Sequence, residues 1–158
     1  MVDHIVTNTS PLLALAKMQA FDAIGRLPYK FLCPNEVEAE ILAGAKPGQP
    51  LELPSWLQIV ALKTPLSPLA VAALDAGEAA VIQLALEQSI PFVCIDERAG
   101  RRAALSVGLQ VIGSLGLIGK AKTLGLLPAV RPLVEKARNA GIYYDTKLIE
   151  QFLRSLGE

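Results

Sequence analysis

The stretch LDAGEAAVIQLALEQSIPFVCIDERAGRRAALSVGLQVIG, residues 74–113, decides the fold class. Leu74–Gln88 reads as a helix. Asp75 suits its N-cap and Glu78 stands three residues on, the spacing of a capping box with Asp in place of Ser or Thr. Ile90–Asp96 is an apolar run of strand length that ends in an acid. A short helix follows, stopped by Gly108, and Leu109–Gly113 is a second strand. Helix, strand, helix, strand with short links implies parallel strands joined by right-handed crossovers.

Working outward, Ile5–Thr7 is β-branched and apolar, a buried strand, and Tyr29–Cys33 reads as another. After the first strand, Ser10 is placed to cap a helix that Pro11 can begin, with Leu12, Leu13, Leu15 and Ala16 as its core face. Pro34 opens a second helix in which Val37 and Ile41 share a face. Residues 45–54 are rich in Pro and Gly and predict a loop, and residues 56–62 predict a short edge strand. Beyond residue 113 the chain reads as helical, broken at Gly125, Pro128 and NAGIYYD. The expectation is one α/β domain over residues 1–158. It is a three-layer α/β/α sandwich on a short parallel sheet, with a helical tail from about residue 114.

Composition bounds the chemistry. Hydrophobic residues make up 52% of the 158 and charged residues 19%, which excludes disorder and leaves a filled core. Lys+Arg and Asp+Glu both number 15, so a nucleic-acid partner needs a local basic patch and cannot be argued from total charge. Cys33 and Cys94 lie in apolar runs and read as buried hydrophobes in a reducing cytoplasm. His4 is the single histidine, so a His-rich metal site is excluded. No apolar leader core and no membrane-length apolar run are expected; residues 114–130 come nearest, with Lys120 and Lys122 inside them. Gly-rich phosphate loops and a G-x-S-x-G elbow are absent from the sequence.

In open parallel sheets ligands bind beyond the carboxyl ends of the strands, where the strand order reverses. Asn8 and Asp96 both end strands and can line that crevice. Asp96 has an equally good structural reading, as a helix cap or the partner of Arg98 or Arg101. Glu78 has one in its capping box and the helix dipole. Glu40 falls at the border of the buried face of its helix, an unexpected place for an acid, whereas Glu36 and Glu38 read as solvated. Arg98, Arg101 and Arg102 form either a solubilising helix face or a phosphate-binding rim, to which Lys120 and Lys122 can add.

Five pieces in order, VTNTSPLLALAK, PNEVEAEI, AGEAAVIQLALE, CIDERAGRRAA and GLQVIGSLGLI, resemble the PIN-domain family, in a compact prokaryotic branch of predicted nucleic-acid-binding proteins. GLLPAVRPLVEKARNAGIYYDTKLIEQFL is similar to that branch's helical tail. The resemblance implies RNA cleavage with Mg²⁺ or Mn²⁺, in many members as the toxin of a toxin–antitoxin pair, and a homodimer. It carries the family's metal-site acids onto Glu40, Glu78 and Asp96 and a supporting hydroxyl onto Ser10. The first acid falls on Asn8, an amide. Hard divalent ions prefer such oxygen ligands, and crowded carboxylates are costly without a cation. An Asn carbonyl can still ligate, but one negative charge is lost. The alternative implied by Asn8 is a PIN-like module that binds RNA or a protein partner without cutting. The expected set is therefore Asn8, Glu40, Glu78 and Asp96 around a metal, with Arg98, Arg101 or Arg102 on RNA phosphates.

Overall fold

The computed structural model describes residues 2–44 and 51–158. The chain folds as two compact units, Met1–Leu12 with Pro28–Gly113, and Leu13–Leu27 with Ser114–Glu158. The first contains the whole sheet. Its strands are β1 (Asp3–Thr7), β2 (Tyr29–Pro34), β3 (Leu57–Val60), β4 (Phe92–Cys94) and β5 (Gln110–Ile112). They lie in the order β3-β2-β1-β4-β5 and every pair is parallel. The chain moves outward from β1 to β2 and β3, then returns to add β4 and β5 on the other side of β1. The reversal of direction lies between β1 and β4, where Thr7 is paired with Cys94. Asn8 extends that ladder by one bond, its N–H donating to Cys94 O at 3.0 Å.

The middle strands are buried over their apolar stretches, while Asp3, His4 and Lys30 at their starts are exposed. Ile5, Val6, Phe31, Leu32, Val93 and Cys94 are all nearly inaccessible. Helices α3 (Asn35–Ala43), α4 (Pro68–Ala73), α5 (Ala76–Glu87) and α6 (Arg98–Ser106) belong to this unit. α5 packs on β1, β2 and β4 and against α3. Eight of its residues are buried, with small Gly77, Ala79 and Ala80 at its start, as expected of a helix that is apolar nearly all round. The predicted edge strand is β3, and the Trp56 ring beside it packs on Phe31 with centroids 5.0 Å apart. Of the predicted 45–54 loop, residues 45–50 lie outside the described residues, and 51–54 form no helix or strand. α4 is an element that the sequence pattern does not announce. It is six residues long and buries none of them, so it carries no amphipathic period.

One expectation at the first turn needs correcting. α1 (Thr9–Lys17) begins before Ser10, so Ser10 is inside the helix and does not cap it. Its hydroxyl instead donates to Glu97 Oε1 at 2.9 Å.

The second unit holds most of α1, then α2 (Phe21–Gly25), α7 (Ser114–Thr123), α8 (Arg131–Asn139) and α9 (Thr146–Ser155). The breaks between α7, α8 and α9 fall where Gly125, Pro128 and NAGIYYD predict them. Gly125 and Gly141 have φ of +77° and +96°, a conformation that favours glycine. Ile149 and Leu153 form the buried stripe of α9. Glu158 ties this unit together. Its carboxylate accepts from Lys122 Nζ and Val130 N, both at 2.7 Å, and from Arg131 N at 3.0 Å. Among the described residues, no helix is long and apolar enough to cross a membrane.

Candidate active site

The carboxyl ends of β1 and β4, with the first turns of α1, α5 and α6, bring a group of acids and hydroxyls together within the first unit. The start of α5 is the centre. Asp75 is its N-cap and accepts from Glu78 N at 2.7 Å, as the capping-box spacing predicts. Gly77 N, another donor of the first turn with no helical partner, donates to Glu40 Oε1 at 2.8 Å. Glu40 Oε2 accepts from Thr9 Oγ1 at 2.6 Å. A Cβ on Gly77 would overlap the Glu40 carboxylate, so this approach requires glycine.

Glu78 itself is only 3% exposed. Ligand oxygens of Asp75, Glu78 and Glu97 all lie within 4.8 Å of one another. Burial, a hydrogen bond shared with Glu97, and the charges of Asp75 and Glu97 push the Glu78 carboxyl up to about 7. Gly100, in the first turn of α6, completes the enclosure: a Cβ there would stand 3.3 Å from Glu78 Cδ and 2.9 Å from Ile95 Cγ2.

Asn8 is 2% exposed, and its Oδ1 is buried without a hydrogen-bond partner among the described residues. Leaving such an acceptor unsatisfied costs about 1–3 kcal/mol. Asp96 is half-buried. Its Oδ1 and Arg101 Nη1 both lie against Gly113, 2.8 and 3.0 Å from where a Cβ would stand. Arg101 Nη1 also donates to Ile95 O at 2.8 Å. Arg98 and Arg102 are exposed on α6, and Lys122 is engaged by Glu158 in the second unit.

Of the expected quartet, then, Glu78 belongs to the close trio. Glu40 reaches the residue before Glu78, and Asp96 sits one residue before Glu97 with Arg101 beside it. Asn8 ends β1 with its amide oxygen unpaired. Sequence reasoning missed Glu97 and Asp75 as trio members, and Thr9 as a partner of Glu40. For Glu97 the signal was the tandem acid in CIDER. β4 stops at Cys94, two residues before Asp96, and the chain turns before α6 starts at Arg98. Counting strand parity through that turn could not say which of the two acids points toward α5.

The donor set suits a hard cation. The trio offers only carboxylate oxygens and is partly sequestered, and burial first, then its acidic neighbours, raise the Glu78 carboxyl. A family model described as DUF3368, PIN domain, matches residues 4–158. No curated protein and no solved structure matches the chain. PIN domains are a nuclease family that generally uses divalent metals. A five-stranded parallel sheet flanked by helices, with carboxylates gathered at its carboxyl edge, agrees with that match, and the chain belongs to the PIN-domain family.

Proposed function

We propose that the protein is a divalent-metal-dependent endoribonuclease that cleaves RNA phosphodiester bonds. The trio Asp75, Glu78 and Glu97 is the observation that carries this reading: three acids on two helix starts, one of them buried, are costly to keep unless they hold a cation. Asp75, Glu78 and Glu97 hold Mg²⁺ or Mn²⁺. Asn8 and Asp96 stay in the proposed site as strand-end oxygens, and Glu40 enters it through the first turn of α5. The bound ion supplies an acidified water and offsets charge on the phosphate.

The chain's own groups do the rest. Glu97 is oriented by the Ser10 hydroxyl, which donates to its Oε1 at 2.9 Å, and Asp75 fixes the start of the helix that carries Glu78. Exposed Arg98 and Arg102 hold flanking phosphates, while Arg101 steadies the turn after β4 through Ile95 O. Action in the cytoplasm as the toxin of a toxin–antitoxin pair, with an antitoxin protein as partner, and assembly as a homodimer rest on family likeness alone.

A second reading is a PIN-like module that binds RNA or a protein without cutting it. It is favoured by Asn8, whose amide lowers the negative charge of the site by one. At about 4 Å and an effective dielectric of 20, one unit charge is worth about 4 kcal/mol before desolvation. A fluorescent RNA oligonucleotide incubated with Mn²⁺, Mg²⁺ or chelator separates the two. Metal-dependent cleavage that Glu78→Gln and Glu97→Gln each lower by about a hundredfold or more is expected. Tight RNA binding without cleavage in any metal establishes the module instead.

A further inference from the structure

We infer that Glu40 is a positioning residue for the acid trio and not one of the groups that hold the cation. The inference rests on the metal-site reading above, and on a contact set that stands without it. Each Glu40 oxygen accepts a donor of the protein, Oε2 from Thr9 Oγ1 at 2.6 Å and Oε1 from Gly77 N at 2.8 Å. Glu40 is not part of the group whose oxygens lie within 4.8 Å of one another.

These two bonds join three separate parts of the first unit. Thr9 begins α1 just after β1, Glu40 lies in the second half of α3, and Gly77 is in the first turn of α5. The side chain thus acts as a second, distant cap on α5. Asp75 takes the N–H of Glu78, and Glu40 takes the N–H of Gly77. A carboxylate at a helix start is also favoured by the helix dipole. Gly77 is the matching half of the device, because any side chain there would fill the space the Glu40 carboxylate occupies. Glu78 follows Gly77 directly. Fixing the Gly77 peptide fixes the starting direction of the Glu78 side chain, and Glu78 is the buried member of the trio.

This role predicts what a metal ligand does not: rescue by the amide. In Glu40→Gln the amide oxygen can accept from Gly77 N, and the amide nitrogen can donate to Thr9 Oγ1, whose hydroxyl turns to accept. Both links survive without the charge. In Glu40→Ala both are lost.

The test is calorimetric titration with Mn²⁺ of the native protein, Glu40→Gln, Glu40→Ala and Glu78→Gln, together with the amide hydrogen-exchange rate of Gly77. Glu40→Gln is expected to bind Mn²⁺ within about threefold of native, whereas Glu40→Ala loses about tenfold and exchanges Gly77 much faster. Should Glu40→Ala fail to fold, Thr9→Val removes one link, and a smaller loss of affinity is expected there. If Glu40→Gln loses as much affinity as Glu78→Gln, Glu40 is a ligand and the inference is overturned. If the native protein binds no Mn²⁺, the metal reading fails, and the exchange rates alone decide. Gly77 slow in Glu40→Gln and fast in Glu40→Ala sustains positioning, and equal rates overturn it.

Discussion

Glu78 and Glu158 are the same residue type in opposite company. Glu158 is in the second unit. Burial works to raise its carboxyl, but the hydrogen bond from Lys122, the N–H groups of Arg131 and Val130 and the Lys122 charge hold it down at about 2. Glu78 is in the first unit among Asp75 and Glu97, and burial together with those neighbours pushes it up to about 7. One acid is surrounded by donors and stabilises its unit. The other is surrounded by acids and weakens its own, a cost that native structures keep mainly at functional sites. Burial alone does not separate the two cases; the charges and donors around each carboxylate do.

The pH dependence of stability follows, with opposite signs. The ordinary value for both is 4.5. Glu158 has a depressed carboxyl, so its contribution is present above about pH 4.5 and is lost as pH falls toward 2. Glu78 has a raised one, so the folded state binds its proton more tightly than the unfolded chain. Its favourable contribution is present below about pH 4.5 and is lost as pH rises through about 7.

The largest effect expected from breaking this contrast is at Glu158. Glu158→Ala leaves a largely buried Lys122 ammonium with Leu156 O but no counter-charge, and two backbone donors without their acceptor, and should cost about 3 kcal/mol at pH 7 by urea unfolding. The loss should shrink steadily in titrations from pH 4.5 toward 2. A loss that is independent of pH would mean that packing, and not the ion pair, carries the effect.

Glu78→Gln should act in the other direction. Without metal at pH 8 it should raise stability by about 2 kcal/mol, because a buried carboxylate beside two other acids is replaced by a neutral amide. The gain should fade as the pH is lowered to 5, where Glu78 is already protonated. Destabilisation at pH 8 would show that the acids are not in conflict.

The smallest of the three changes sharpens the contrast at β1. Asn8→Asp is nearly isosteric and adds a charge where a buried oxygen is unpaired. It should lower metal-free stability by about 1 kcal/mol and enlarge the stabilisation given by Mn²⁺. Paired calorimetric melts with and without Mn²⁺ check it, and equal metal responses in the two proteins would make Asn8 a turn residue only.

Residues 74–113 were legible because period and punctuation agree there. Asp75 caps α5 as its spacing predicts, Gly108 ends α6 with φ of +85°, and both strands are parallel. α4 was not legible, since a helix with no buried residue leaves no pattern. The acids were legible as types and only partly as partners. Glu78 could be placed because helix geometry fixes it relative to its cap. Glu97 could not, because its direction depends on the three-residue turn between β4 and α6. The Glu40–Gly77 link spans 37 residues and the Glu158–Lys122 link 36, and no local periodicity reports contacts at that range. Thr9 was hidden because α1 starts two residues earlier than its proline suggests.

If Asp75, Glu78 and Glu97 form a destabilised cluster that a divalent cation relieves, the stability of the protein responds to that cation. The most direct measurement is the melting temperature at pH 8 over a Mn²⁺ titration, for the native protein and for Glu97→Gln. At about a hundred times the dissociation constant, mass action gives about 2.7 kcal/mol, or a rise of about 5–10 °C for a chain of this length. That rise is expected in the native protein, with little or none in Glu97→Gln. A native melting temperature that does not respond to Mn²⁺, or an equal response in the variant, would contradict it.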